Sequence, residues 1–186
     1  MKTTEITNTA DIIDSRDVIA RVDDLTDDLI ALVDDVNTAE DAEDRSAAFD
    51  ALAEWLGADP DEMREVYPED AKVSEDPATL LERWHGSATA TEEADELRAL
   101  LALAGECEGY DDPLKLRLCD WHHGEVLIRD SYFTEYAECM ASDIADYDPR
   151  NCRWPFTCID WDKAADELKD DYREVDFDGV VYWIRD

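Results

Sequence analysis

The sequence has few basic residues. Only 17 of its 186 residues are lysine or arginine, whereas 51 are aspartate or glutamate, and the formal net charge at pH 7 is −34. A chain with this charge repels nucleic acid and anionic membranes, so neither is expected as a direct partner. It should instead attract basic protein surfaces, and these are most often grooves that bind nucleic acid.

Other features are also missing. Residues 1–17 contain no apolar core of a signal peptide, and no apolar stretch approaches the roughly 20 residues of a membrane span. The five cysteines are an odd number, which together with the missing export signal favours reduced thiols in a cytoplasm. The chain has neither a P-loop nor a G-x-G-x-x-G motif. We therefore expect a soluble cytoplasmic protein without a cofactor.

What the sequence does contain is enough apolar material for a core. Hydrophobic residues make up 45% and aromatic residues 9% of the chain. Residues 1–93 carry 27 acidic and 7 basic side chains, and residues 94–186 carry 24 and 10, so the acid is not confined to a tail. We expect the charge to lie on folded elements.

The first 105 residues show helical patterns throughout. Val18 to Val36 form a heptad stripe, with apolar residues at alternating spacings of four and three, inside a helix predicted from about Asp14 to Val36. The stripe needs a partner helix, either from a helical hairpin within this chain or from a second chain. Start and stop signals predict further helices over 42–56, 60–66, 77–84 and 91–104.

The pattern changes at Gly109. Residues 114–118 alternate as a strand does, and Glu125–Arg129 could pair with them. Helices are predicted over 132–144 and after Asp160, and the chain ends in a hairpin over 174–184 around the turn Asp178-Gly179. The predicted fold class is α+β. A helical N-terminal half, hairpin-like or coiled-coil-like, over residues 1–108 precedes a small α+β domain over 109–186 that ends in a β-hairpin.

Residues 132–185 carry an ordered set of motifs. They are an acidic helix that begins with Phe133-Thr134-Glu135-Tyr136-Ala137, a helix start at Ile159-Asp160-Trp161, then Ala164-Ala165 and Leu168, then Phe177-Asp178-Gly179 and Tyr182-Trp183-Ile184-Arg185.

This order resembles the C-terminal portion of the ArdA-type antirestriction proteins of plasmids and phages, and of related small acidic phage proteins. The resemblance covers under a third of the chain, and residues 1–110 do not share it. It implies a mimic of double-stranded DNA that occupies the DNA groove of a host defence nuclease, either a restriction enzyme or a CRISPR complex. It also implies that this protein works in the cytoplasm of the host cell.

The magnitude of the charge agrees with mimicry. Duplex DNA carries one charge per roughly 1.7 Å of axis, so 34 charges correspond to roughly 58 Å of duplex. We therefore predict an inhibitor and not an enzyme, with no catalytic or metal-binding residue. The predicted partner is a basic nucleic-acid-binding protein, and a homodimer is also possible. The predicted partner-binding residues are Asp23, Asp24, Asp27, Asp28, Asp34, Asp35, Asp143, Asp146, Glu167, Asp170 and Asp171.

Two alternatives remain open at this point. An excess of aspartate over glutamate with few lysines is typical of proteins adapted to molar salt, in which case the charge would say nothing about function. The second alternative is a small metal-assisted enzyme in which Cys119, His122 and His123 act with Cys152 and Cys158. The spacings of these residues do not form a paired structural-zinc signature, so an ordinary turn is the simpler interpretation.

Overall fold

The computed structural model describes residues 3–68, 71–84, 90–108, 120–145, 153–154 and 156–185. Within these ranges it is an α+β fold with a C-terminal β-hairpin, which confirms the predicted fold class. The helices are α1 (Ser15–Thr38), α2 (Ala42–Leu56), α3 (Pro60–Val66), α4 (Pro77–Arg83), α5 (Glu92–Glu108), α6 (Phe133–Ala145) and α7 (Trp161–Leu168). The strands are β1 (Ile12–Asp14), β2 (Val126–Arg129), β3 (Tyr172–Phe177) and β4 (Val180–Arg185).

Helix α1 is the centre of the N-terminal half. Asp14 caps it by accepting a hydrogen bond from the Arg16 backbone nitrogen at 2.9 Å. The predicted apolar stripe is buried except for the partly exposed Leu32, and Val18, Leu25 and Leu29 expose none of their surface. The stripe packs on α2 and α5 of the same chain, which confirms the intramolecular helical hairpin.

The predicted start and stop signals also place the other N-terminal helices. Asp41, Asp59 and Asp76 each cap a helix with a side-chain oxygen, and the two later caps are followed by a proline at the first helical position. Gly57 ends α2 in the left-handed conformation, with φ of 71°. Helix boundaries in this half therefore follow from local chemistry.

Replacement of Gly57 by alanine is expected to lower the free energy of unfolding by at least about 2 kcal/mol. The new methyl group would collide with the backbone of Ala90, whose Cα would lie 2.6 Å away, in addition to the cost of a positive φ. Gly179→Ala is the matched control, because its φ is 77° but nothing lies within 4 Å of the added carbon. Gly179→Ala should lower the free energy of unfolding by only about 1 kcal/mol, as measured by urea unfolding. Equal losses of stability in the two variants would contradict the proposed collision with Ala90.

The prediction that the first 105 residues are helical throughout is wrong at one place. Ile12–Asp14 form β1, which pairs antiparallel with β2 so that Ile13 lies opposite Leu127. Three residues are too few to show the alternation of a strand, and the partner strand is distant in sequence. The sheet order is β1-β2-β4-β3, so β2 pairs with β1 and β4. The strand predicted over 114–118 lies outside the described residues.

The sheet separates two apolar cores. Because successive side chains of a strand point to opposite faces, Leu127 faces the core formed with α1 to α5, and Ile128 faces a second core. Phe133 of α6 and Ala165 of α7 belong to that second core. The α6–α7 pair thus lies on the opposite side of the sheet from the N-terminal helices.

Ser15 connects the two halves of the chain. It is fully buried, and its hydroxyl donates to the Trp121 carbonyl at 2.8 Å and accepts from the Glu125 backbone nitrogen at 2.7 Å. The Ser15 backbone nitrogen donates to the Glu125 carbonyl at 2.9 Å.

The domain boundary at residues 108 and 109 stays a prediction, because 109–119 are not described. Among the described helices, none has the length and apolar character that crossing a membrane requires.

Candidate acidic interaction surface

The predicted acidic residues of α1 lie outside its buried stripe, but they are not equally accessible. Asp27, Asp34 and Asp35 are exposed, and Asp23 and Asp28 are half-buried. We call Asp27, Asp34 and Asp35 the α1 acidic face. The helical periodicity that buries one side of α1 therefore places these three carboxylates in solvent.

Asp24 has a structural role. Its Oδ2 accepts hydrogen bonds from the Thr3 backbone nitrogen and the Thr3 hydroxyl, both at 2.8 Å. These hydrogen bonds, first of all the one from the backbone nitrogen, lower the pKa of Asp24 below its usual range. The carboxylate stays ionised and fastens the N-terminal segment onto α1, a role that sequence reasoning missed because Thr3 is 21 residues away.

The second predicted set lies on α6, on α7 and in the 3₁₀ turn Lys169–Asp171. Asp143, Glu167, Asp170 and Asp171 are all exposed, and we call them the C-terminal acidic face. Glu167 is 3.7 Å from the Lys163 ammonium one turn earlier, a loose pair between exposed groups. Asp146 lies outside the described residues.

Lys169 pairs with a residue outside the C-terminal acidic face. Its ammonium lies 2.7 Å from Asp130 Oδ1 and 4.7 Å from the centre of the Trp183 ring. Trp183 Nε1 also donates to Asp130 Oδ1, at 2.8 Å. Lys169, followed by Trp183, holds the pKa of Asp130 below its usual range. The neighbouring Asp170 and Asp171 therefore remain an acidic pair that this lysine does not neutralise.

The structure does not bring the two predicted sets together. The α1 acidic face belongs to the N-terminal helices, and the C-terminal acidic face belongs to the α6–α7 pair across the sheet. The predicted residues that the structure describes therefore form two separate acidic faces. The molecule has further exposed acids that the sequence prediction did not include, and on α2 and α3 these are Glu43, Asp44, Asp50, Glu54, Asp61, Glu62 and Glu65.

The alternative metal-assisted site is only partly described. His122 and His123 are exposed on the 3₁₀ turn Asp120–His123, and Cys158 is exposed elsewhere. Cys119 and Cys152 lie outside the described residues. In the parts of the chain that the structure describes, no three His, Cys, Asp or Glu residues are grouped so that they could hold a metal ion.

Comparison of the chain with protein-family models, with curated proteins and with solved structures found no match. The likeness of residues 132–185 to antirestriction proteins therefore rests on the motifs alone.

Proposed function

We propose that this protein is an acidic inhibitor that occupies the DNA-binding groove of a host defence nuclease, belonging either to a restriction or to a CRISPR system. The observation that carries the proposal is the exposure of carboxylates on helices that pack on both sides of the sheet. A basic groove would take these carboxylates in place of phosphates, and no catalytic residue or cofactor is needed.

The spacing of charge along α1 supports this proposal. From Asp23 to Asp35 the helix rises by roughly 18 Å, at 1.5 Å per residue. Six aspartates lie on this length, which is one charge per roughly 3 Å of helix axis. One strand of duplex DNA carries one phosphate per roughly 3.4 Å of axis. The helix therefore carries aspartates at about the linear density of phosphates on a single DNA strand, and three of the six, Asp27, Asp34 and Asp35, are exposed to a partner.

The arrangement of the two faces limits how a target can bind. A flat groove would contact one face at a time, whereas a target that encloses DNA would contact both. The resemblance in residues 132–185 favours the C-terminal acidic face, and the charge density favours the α1 acidic face. We propose that both faces contact an enclosing target.

Neutralising either face is therefore expected to weaken inhibition several-fold. One variant changes Asp27, Asp34 and Asp35 to Asn, and a second changes Asp143, Glu167, Asp170 and Asp171 to the corresponding amides. The readout is competition with labelled duplex DNA for a defence nuclease recovered from host lysate with the wild-type protein as bait. Circular dichroism checks that each variant is folded.

A matched control removes charge from other helices. Changing the exposed Glu54, Glu62 and Glu65 to Gln should alter inhibition by less than twofold. An equal loss in all three variants would mean that net charge alone matters. Unchanged inhibition in all three variants would mean that the acidic faces do not bind the target. Adaptation to high salt would then be the better explanation of the charge.

A further inference from the structure

A groove of about 980 Å³ runs along α5, between α4, the N-terminal segment and the β3–β4 turn. None of the residues of the two acidic faces lines it. Its volume is at the upper end of the range of about 300–1,000 Å³ that is usual for ligand pockets, and its lining is mostly apolar. The groove is therefore a second candidate binding site, with a chemistry different from that of the acidic faces.

The floor of the groove combines buried apolar side chains with small residues. Leu81, Leu101 and Phe177 form its deep part, and each exposes less than a tenth of its surface. Ala102 is exposed, and Gly105 follows one turn later on the same side of α5. These small residues leave room for the backbone of another helix to approach, because the distance between packed helices depends on the side chains at the contact.

The rim of the groove is acidic on several sides. The exposed rim acids are Glu5, Glu82, Glu92, Asp95 and Asp178, from four separate parts of the chain.

The cation among the lining residues, Arg98, is already engaged. Its Nη1 donates to Asp95 at 2.8 Å and its Nη2 donates to the Leu56 carbonyl at 3.1 Å. The groove thus offers an apolar floor between rows of carboxylates.

We propose that this groove binds a basic amphipathic helix of a partner protein. The wall from Glu92 to Gly105 is roughly 20 Å long, the length of about 14 helical residues. An apolar stripe on such a helix would cover the floor, and lysines or arginines beside the stripe would reach the acidic rims. This is recognition of a helix in a groove, with charge complementarity that fixes its orientation.

The probe for this proposal is a fluorescently labelled 14-residue peptide of leucine and lysine, with the leucines on one helical face. Ala102→Trp fills the floor and is expected to weaken binding at least tenfold in fluorescence anisotropy. Ala51→Trp is the matched control, because Ala51 is an exposed alanine on α2. It should change the affinity by less than twofold, and a scrambled peptide of the same composition should bind at least tenfold more weakly than the amphipathic probe.

A second pair of variants keeps the test decisive if Ala102→Trp does not fold. Glu82→Gln with Glu92→Gln should weaken binding at least threefold, and Glu62→Gln with Glu65→Gln should leave it unchanged. Amide chemical-shift changes on adding the probe should concentrate in α4, in α5 and in residues 5–8. Equal binding of the scrambled peptide, equal loss in the groove and control variants, or shift changes on the acidic faces instead would overturn the proposal.

Discussion

Replacement of Glu96 by alanine is expected to lower the free energy of unfolding by about 3–5 kcal/mol. Glu96 forms a bidentate pair with Arg21, at 2.6 and 3.0 Å, and the two side chains expose only 9% and 10% of their surface. The same carboxylate accepts a hydrogen bond from the Ile6 backbone nitrogen at 2.8 Å. The variant would leave a buried guanidinium without its partner and release the N-terminal segment from α5.

The measurement is urea unfolding followed by far-ultraviolet circular dichroism. Asp95→Ala is the matched control on the adjacent residue, because Asp95 pairs with Arg98 but exposes 68% of its side chain. Solvent screens the Asp95–Arg98 pair, so Asp95→Ala should lower the free energy of unfolding by less than about 1 kcal/mol. Similar losses in both variants would mean that burial does not decide the strength of the Arg21–Glu96 interaction.

Inhibition of the target nuclease is expected to weaken at least tenfold when the salt concentration rises from about 50 to 200 mM. Many carboxylates would meet basic side chains at once, and added ions screen each of these pairs. The affinity is measured by competition with labelled duplex at four salt concentrations. The variant with a neutralised C-terminal acidic face should show a shallower dependence, because fewer ion pairs remain to be screened.

The same titration separates mimicry from adaptation to molar salt. A DNA mimic should keep its circular dichroism spectrum at low salt, where it binds most tightly. A protein adapted to molar salt should lose structure there, since self-repulsion among 34 net charges is then least screened. Unfolding at low salt, or an affinity that does not change with salt, would contradict the proposed function.

The helical half of the fold could be predicted because its signals are local. Asp59-Pro60 and Asp76-Pro77 each start a helix within two residues, and the spacing from Val18 to Val36 identifies the buried side of α1. The final hairpin was predictable for the same reason, because Asp178 and Gly179 both adopt the positive φ that its turn requires. Each of these features depends on residues that are neighbours in sequence.

The parts that could not be predicted depend on distant pairs. Glu96 and Arg21 are 75 residues apart, and nothing in either local sequence marks them as partners. Asp24 and Asp27 look alike in the sequence, yet one fastens Thr3 and the other is exposed. The same limit applies to the candidate site, because helix periodicity gives the exposed side of each helix but not the side of the sheet on which that helix packs.

The pairing of β1 with β2 also has a kinetic consequence. The Tyr182 hydroxyl donates to the Ala10 carbonyl over a separation of 172 residues, and Ile12 lies opposite Ile128. Contacts this distant require large loops to close, whereas the helices need only local contacts, so the sheet should assemble after the helices during refolding. An intermediate with formed helices and an incomplete sheet would expose both apolar cores to other chains. The high net charge would keep such intermediates apart by mutual repulsion. The acidity would therefore reduce aggregation during folding, in addition to its proposed role in binding a partner.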